Sequence, residues 1–165
     1  MNSSSETKKT GGGQANKTGS TLELFVERML EDNGYTPFPN HKAQLFDNRK
    51  TVGGKQYSSH VPCGTSIYES PRKCDFLIMN QDKFPEGLII ECKWQQSAGS
   101  VDEKYPFTLF NIIKIGVPTI ILLDGGGYKK TAKKWLKEQV NLSKALIGVY
   151  SMAEFQALVH KGFLG

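Results

Sequence analysis

One stretch constrains the fold of this chain more than any other. Val117 to Leu123 is a continuous apolar run, with Gly116 before it and Asp124 and Gly125-Gly126-Gly127 after it. An alternating pattern would mark a strand with one wet face. A continuous one marks a strand buried on both faces, in the interior of a sheet that carries helices on either side. The surrounding elements suit such a sheet. Leu22, Phe25, Val26, Met29 and Leu30 recur at helical spacing behind Ser20 or Thr21, either of which can N-cap, and Asn33-Gly34 closes the helix. Cys74 to Met79 and Leu88 to Trp94 read as two strands around a polar turn, which predicts a hairpin. Phe107 to Ile115 reads as a helix, and residues 128–140 as an amphipathic helix with Ala132, Trp135, Leu136 and Val140 inward. Ala145 to Tyr150 reads as a strand, and Ser151 caps a last helix. The expected fold is α/β: a mixed central sheet, an antiparallel hairpin continuing into parallel strands, flanked by helices.

At 165 residues the chain suits one domain, expected over residues 19–165. Residues 1–18 are polar apart from Met1 and Ala15, and read as a flexible tail: a passive leader, or a basic arm that touches phosphates. Residues 35–74 carry turn signals at Pro37, Pro39, Gly53-Gly54, Pro62 and Pro71, and read as irregular with short strand-like pieces. No apolar run approaches the ~18 residues that span a bilayer. The N-terminus lacks the apolar stretch of a signal peptide, and three cysteines without CxxC spacing do not form a disulfide framework. These features predict a cytoplasmic protein with no membrane partner. The net charge of +5 is compatible with a nucleic-acid partner without demanding one.

The chemistry is concentrated in the strand Leu88 to Trp94. Its apolar start is interrupted by Glu91 and Lys93, which alternation puts on one face, with Cys92 on the other. Charges inside a buried strand are costly unless they are paired, hydrated or bound to a metal. If the hairpin forms, Asp75 lies beside Glu91. Two adjacent carboxylates repel, and a hard cation relieves the repulsion, with the Cys92 carbonyl as a further oxygen ligand. Lys93 would then stand within reach of an activated water and of a phosphate. The alternative is a structural hairpin with a Glu91–Lys93 ion pair.

On these residues the chain resembles the PD-(D/E)XK nuclease superfamily. Asp75 matches the metal-binding aspartate and Glu91-Cys92-Lys93 the (D/E)xK triplet, while Gly19-Ser20-Thr21-Leu22-Glu23 is similar to the GxxxE helix that precedes the core in many members. The proline of the "PD" is absent, since Lys73-Cys74 precedes Asp75. The resemblance implies that Asp75, Glu91 and the Cys92 carbonyl hold Mg²⁺, with Mn²⁺ able to substitute, and that Lys93 orients water or stabilises the transition state. It puts Glu23 near the site, although Glu23 equally suits a capping box. Gln95 continues the alternation of Glu91 and Lys93 and is a further catalytic candidate; Glu103 and Lys104 either face the cleft or belong to a solvated loop. The implied activity is a metal-dependent DNA endonuclease. A small, homodimeric type II restriction endonuclease acting on double-stranded DNA is the leading form; a junction-resolving or repair nuclease, or a non-catalytic binding module, is the alternative.

Nucleic-acid contacts are expected in two places. Residues 40–72 form a candidate DNA-contacting insertion, in which Arg49, Lys50 and Lys55 stand out. Lys129, Lys130 and Lys133 begin a lysine row on helix 128–140, which is a phosphate-tracking face or a solvated one. His60-Val61-Pro62-Cys63 has HxxC spacing but too few partners for zinc. Gly125-Gly126-Gly127 lacks the G-K-[ST] ending of a phosphate loop, and Asp124 reads as a turn residue.

Overall fold

The computed structural model describes residues 12–43, 54–99 and 101–165, with side chains in the first helix described from Thr21 onward. The elements are α1 (Gly12–Asp32), β1 (Thr36–Pro37), β2 (Gln56–Thr65), β3 (Pro71–Asn80), β4 (Phe84–Trp94), α2 (Tyr105–Ile115), β5 (Thr119–Asp124), α3 (Lys130–Glu138), β6 (Leu146–Tyr150) and α4 (Met152–His160). The six strands form one sheet in sequence order. β2, β3 and β4 pair antiparallel, whereas β4, β5 and β6 run parallel. Each parallel neighbour needs a crossover, and α2 and α3 supply them.

Thr119 to Leu123 are buried without exception, as the apolar run requires. On one face, Ile120 and Leu122 join Ile90, the α1 residues Leu22, Val26 and Leu30, and Phe155 and Val159 of α4. On the other, Ile121 and Leu123 pack with Tyr105, Leu109 and Ile112 of α2 and with Leu136 of α3. The last helix has the expected cap. The Ser151 side chain accepts from the Glu154 N–H while Glu154 accepts from the Ser151 N–H.

Three expectations are corrected. Helical backbone begins at Gly12, inside the predicted tail, so Ser20 and Thr21 are not N-caps and Glu23 is not in a capping box. Extending an existing helix is far easier than nucleating one, so the packed turns from Leu22 onward carry a start that propensity alone would not support. Residues 1–11 lie outside the described residues.

The stretch read as an irregular insertion contains a ten-residue strand, β2, inside the sheet. Its inward positions Tyr57, Val61 and Cys63 were diluted by Ser59, His60, Pro62 and Gly64. Finally, β3 starts at Pro71 rather than near Asp75, because pairing with β2 reaches back through Lys73↔Pro62 to Pro71↔Thr65. Asp75 is therefore a mid-strand residue.

Candidate active site

The site forms where β3 begins and β4 ends. The register Phe76↔Ile90 makes Asp75 and Glu91 the next pair across the hairpin. The regular ladder stops there: the Cys92 N–H donates to Asp75 Oδ2 at 2.7 Å instead of to a backbone carbonyl. A carboxylate is thus seated between two strands and fixed against the strand that carries Glu91.

Glu91 is only 2% exposed, so an unpaired charge there would be untenable. Two cations hold it. Arg72 Nη2 donates to Oε1 at 2.6 Å and Lys93 Nζ to Oε2 at 2.9 Å. Burial alone would raise the Glu91 carboxyl; Lys93 and Arg72 outweigh it and hold it below the usual carboxylate range. Burial alone would lower Lys93, but Glu91 and then Asp75 push it above the usual lysine range. Each charge exists because the others do.

Lys93 Nζ lies 2.9 Å from Glu91 Oε2, 3.6 Å from Asp75 Oδ2 and 3.4 Å from the Cys92 carbonyl oxygen. These are the three oxygens expected to hold a metal, and they surround one positively charged nitrogen. An all-oxygen set with two carboxylates has the hardness that Mg²⁺ or Mn²⁺ prefers. Among the described residues, no three His, Cys, Asp or Glu side chains cluster as a ready metal site. The expected donor set, two carboxylates and a backbone carbonyl, is not a cluster of that kind.

Glu23, on α1, faces the same region. Its carboxyl is raised, first by burial and then by the charge of Asp75, while His60 acts in the opposite direction. His60 Nε2 lies 3.7 Å from Glu23 Oε2.

Gln95 is buried and fully engaged elsewhere. Its Oε1 accepts from the Tyr105 hydroxyl at 2.8 Å, and its Nε2 donates to the Ser97 and Gly127 carbonyls. It ties the end of β4 to α2 and to the glycine loop, and these hydrogen bonds reach neither Glu91 nor Lys93. That loop is tight by necessity: a Cβ on Gly125 or Gly127 would meet the backbone of Gln95, Gln96 or Ser97 at 2.9 Å or less. Asp124 accepts from the Gly125 and Met152 N–H groups, which suits a turn residue. Glu103 and Lys104 are exposed in a short 3₁₀ turn ahead of α2.

The basic candidates divide. Lys55 is at the other end of the sheet, where its ammonium donates to the Asn33 carbonyl at 3.1 Å and to the Gly165 carbonyl. Arg49 and Lys50 lie outside the described residues. Lys129 and Lys130 are exposed at the start of α3, next to the glycine loop that Gln95 holds. Lys133 lies over the Tyr128 ring at 4.8 Å and donates to its hydroxyl. The residue that sequence reasoning missed in this role is Arg72. Nothing local in the segment 40–72 singles it out, because its partner Glu91 lies on the neighbouring strand.

An acidic pair with a lysine at the end of an antiparallel hairpin, on a mixed sheet between helices, is consistent with a restriction-endonuclease-like core. The chain matches the family model of a PD-(D/E)XK nuclease superfamily domain over residues 14–163, and it belongs to that superfamily. No curated protein and no solved structure matches the chain. Nucleases of this superfamily generally use divalent metals. No helix among the described residues is long and apolar enough to cross a membrane.

Proposed function

We propose that this chain is a Mg²⁺-dependent endodeoxyribonuclease that hydrolyses phosphodiester bonds in double-stranded DNA, as a small homodimeric type II restriction endonuclease of the cytoplasm. One observation carries the reading: oxygens of Asp75, Glu91 and Cys92 converge on a single cation position, filled by the Lys93 ammonium. In the working enzyme Asp75, Glu91 and the Cys92 carbonyl would hold Mg²⁺, which would supply positive charge at the phosphate and lower the pKa of a water. Arg72 fixes the Glu91 carboxylate by holding Oε1, which leaves Oε2 for the ion. Lys93, released from the oxygens, turns its charge to the phosphate, where negative charge develops. Lys129, Lys130 and Lys133 follow the DNA backbone, and Arg49 and Lys50 contribute contacts from residues 44–53.

A junction-resolving or repair nuclease is the second reading. It is favoured by the inclusion of β2 in the sheet, which shortens the segment available for reading base edges.

The test is incubation with long unmodified duplex DNA in Mg²⁺ and in EDTA, beside Asp75→Ala. Discrete fragments that EDTA and the substitution both abolish are expected. Cleavage of a four-way junction but not of duplex would select the second reading, and cleavage by Asp75→Ala would refute the site.

A further inference from the structure

β2 passes the site on the side away from Glu91. Its pairs Ser59↔Phe76 and Val61↔Cys74 put His60 directly across from Asp75. One row across the sheet thus runs His60, Asp75, Glu91, with Asp75 between the other two. His60 has φ 53°, a left-handed conformation within β2, whose pairing with β3 is in register through Pro62 and shifts between Pro62 and Thr65. Histidine tolerates that region better than most residues, yet a strand interior gives no local reason for it. Backbone outliers of this kind collect at functional sites, where surrounding structure maintains them.

The side chain is 54% exposed, although the neighbouring Val61 is buried. Among the described residues its charged partner is Glu23, whose Oε2 is 3.7 Å from Nε2, beyond hydrogen-bond distance. The other ring nitrogen, Nδ1, has no protein partner among the described residues. Glu23 and Asp75 make this side of the cleft acidic, and the ammonium of Lys93 is already drawn to Glu91 and Asp75. A phosphodiester that approaches Asp75 from the β2 side needs a donor there that adds no negative charge. An exposed imidazole provides one, since even the neutral ring carries an N–H.

We propose that His60 is a further active-site residue, whose imidazole donates a hydrogen bond to a phosphate oxygen of the nucleic-acid substrate beside Asp75. This rests on the nuclease reading above. The contact is made to bound substrate and to transition state alike, so its loss raises KM more than it lowers kcat.

The test uses His60→Asn, which tolerates the left-handed backbone, and His60→Gly, which relieves it. Thermal melts, steady-state cleavage of duplex DNA in Mg²⁺, and DNA affinity in Ca²⁺ are measured for each, beside wild type and Asp75→Ala. Both His60 variants are expected to melt at or near the wild-type temperature and to lose about tenfold in kcat/KM, mainly through KM, with a matching loss of affinity in Ca²⁺. Wild-type cleavage with both variants within about twofold of it would overturn the role of His60 and leave the nuclease reading intact. Failure of both variants to fold would assign His60 to the stability of β2 and equally overturn the proposal. A wild-type chain that cuts neither duplex nor junction would remove the nuclease reading and this inference with it.

Discussion

The two ends of the β3–β4 hairpin solve the same problem in opposite ways. Both bring polar side chains into buried positions. At the turn end, the Tyr35 hydroxyl donates to the Leu164 carbonyl at 2.8 Å and accepts from Asn80 Nδ2 at 3.0 Å. Asn80 Oδ1 in turn accepts from the Asp82 and Lys83 N–H groups. Apart from Lys55 at its edge, its side chains are uncharged, and it ties the segment after α1, the β3–β4 turn and the C-terminal residues together. At the site end, Glu91, Arg72, Lys93 and Asp75 form a charged cluster whose members depend on one another. A neutral satisfied network adds stability with no titrating step. A charged one is costly to desolvate and holds only while its members stay paired.

Substitutions can break this contrast. The largest effect is expected from Asp75→Ala or Glu91→Ala, each lowering DNA cleavage by at least ~10³-fold in a steady-state assay. The two should differ in stability. Glu91→Ala leaves the half-buried Arg72 and Lys93 without their shared buried partner and should cost ~3 kcal/mol in denaturant melts, more than loss of Asp75, which is more exposed than Glu91. Arg72→Met should lower cleavage and weaken Mg²⁺ binding by calorimetry, because Glu91 loses the partner at Oε1; unchanged metal affinity would refute that positioning role.

At the other end, Tyr35→Phe should cost ~1–2 kcal/mol of stability and leave cleavage unchanged. Loss of activity in that variant would mean that the two ends are coupled.

The pH dependence sharpens the contrast further. Glu91 titrates below its ordinary value of 4.5 in the folded chain, so over that interval the unfolded state binds more protons. Its contribution is full above the unfolded value and is lost as pH falls through the lower folded one. Glu91→Gln should remove that acid-side slope. Glu23 has the opposite sign: its raised carboxyl means that ionisation opposes folding. Glu23→Gln should raise the melting temperature slightly at neutral pH, an advantage that vanishes once both states are protonated. This is the smallest expected effect, and a drop in melting temperature at neutral pH would contradict it.

Much of the fold was legible because its signals are local. The apolar run of β5, the helical spacing in α1 and the Ser151 cap of α4 each lie within a few residues of sequence. β2 was not legible, since its inward residues are separated by Pro62 and Gly64 and its strand character comes from pairing with β3. The start of α1 escaped for a related reason: its first turns are built from weak helix formers. Within the candidate site, Asp75, Glu91 and Lys93 stood out as charges in apolar strands. Gln95 was named for its alternation, yet the side chain turned out to be held by Tyr105 and Gly127. Lys55 was named for its charge, and lies at the far end of the sheet because β2 runs antiparallel to β3.

Sequence by itself determined which strand is buried on both faces, although that strand, β5, lies next to the edge strand β6 rather than at the centre, and which hairpin carries the charges. Those follow from periodicity and from the cost of burying charge, and both are properties of short segments. Only tertiary structure decided which cation holds each carboxylate oxygen, that His60 stands across from Asp75, and that the Lys93 ammonium sits among the three oxygens. These depend on register and on distances of a few ångströms between strands, which no local pattern encodes.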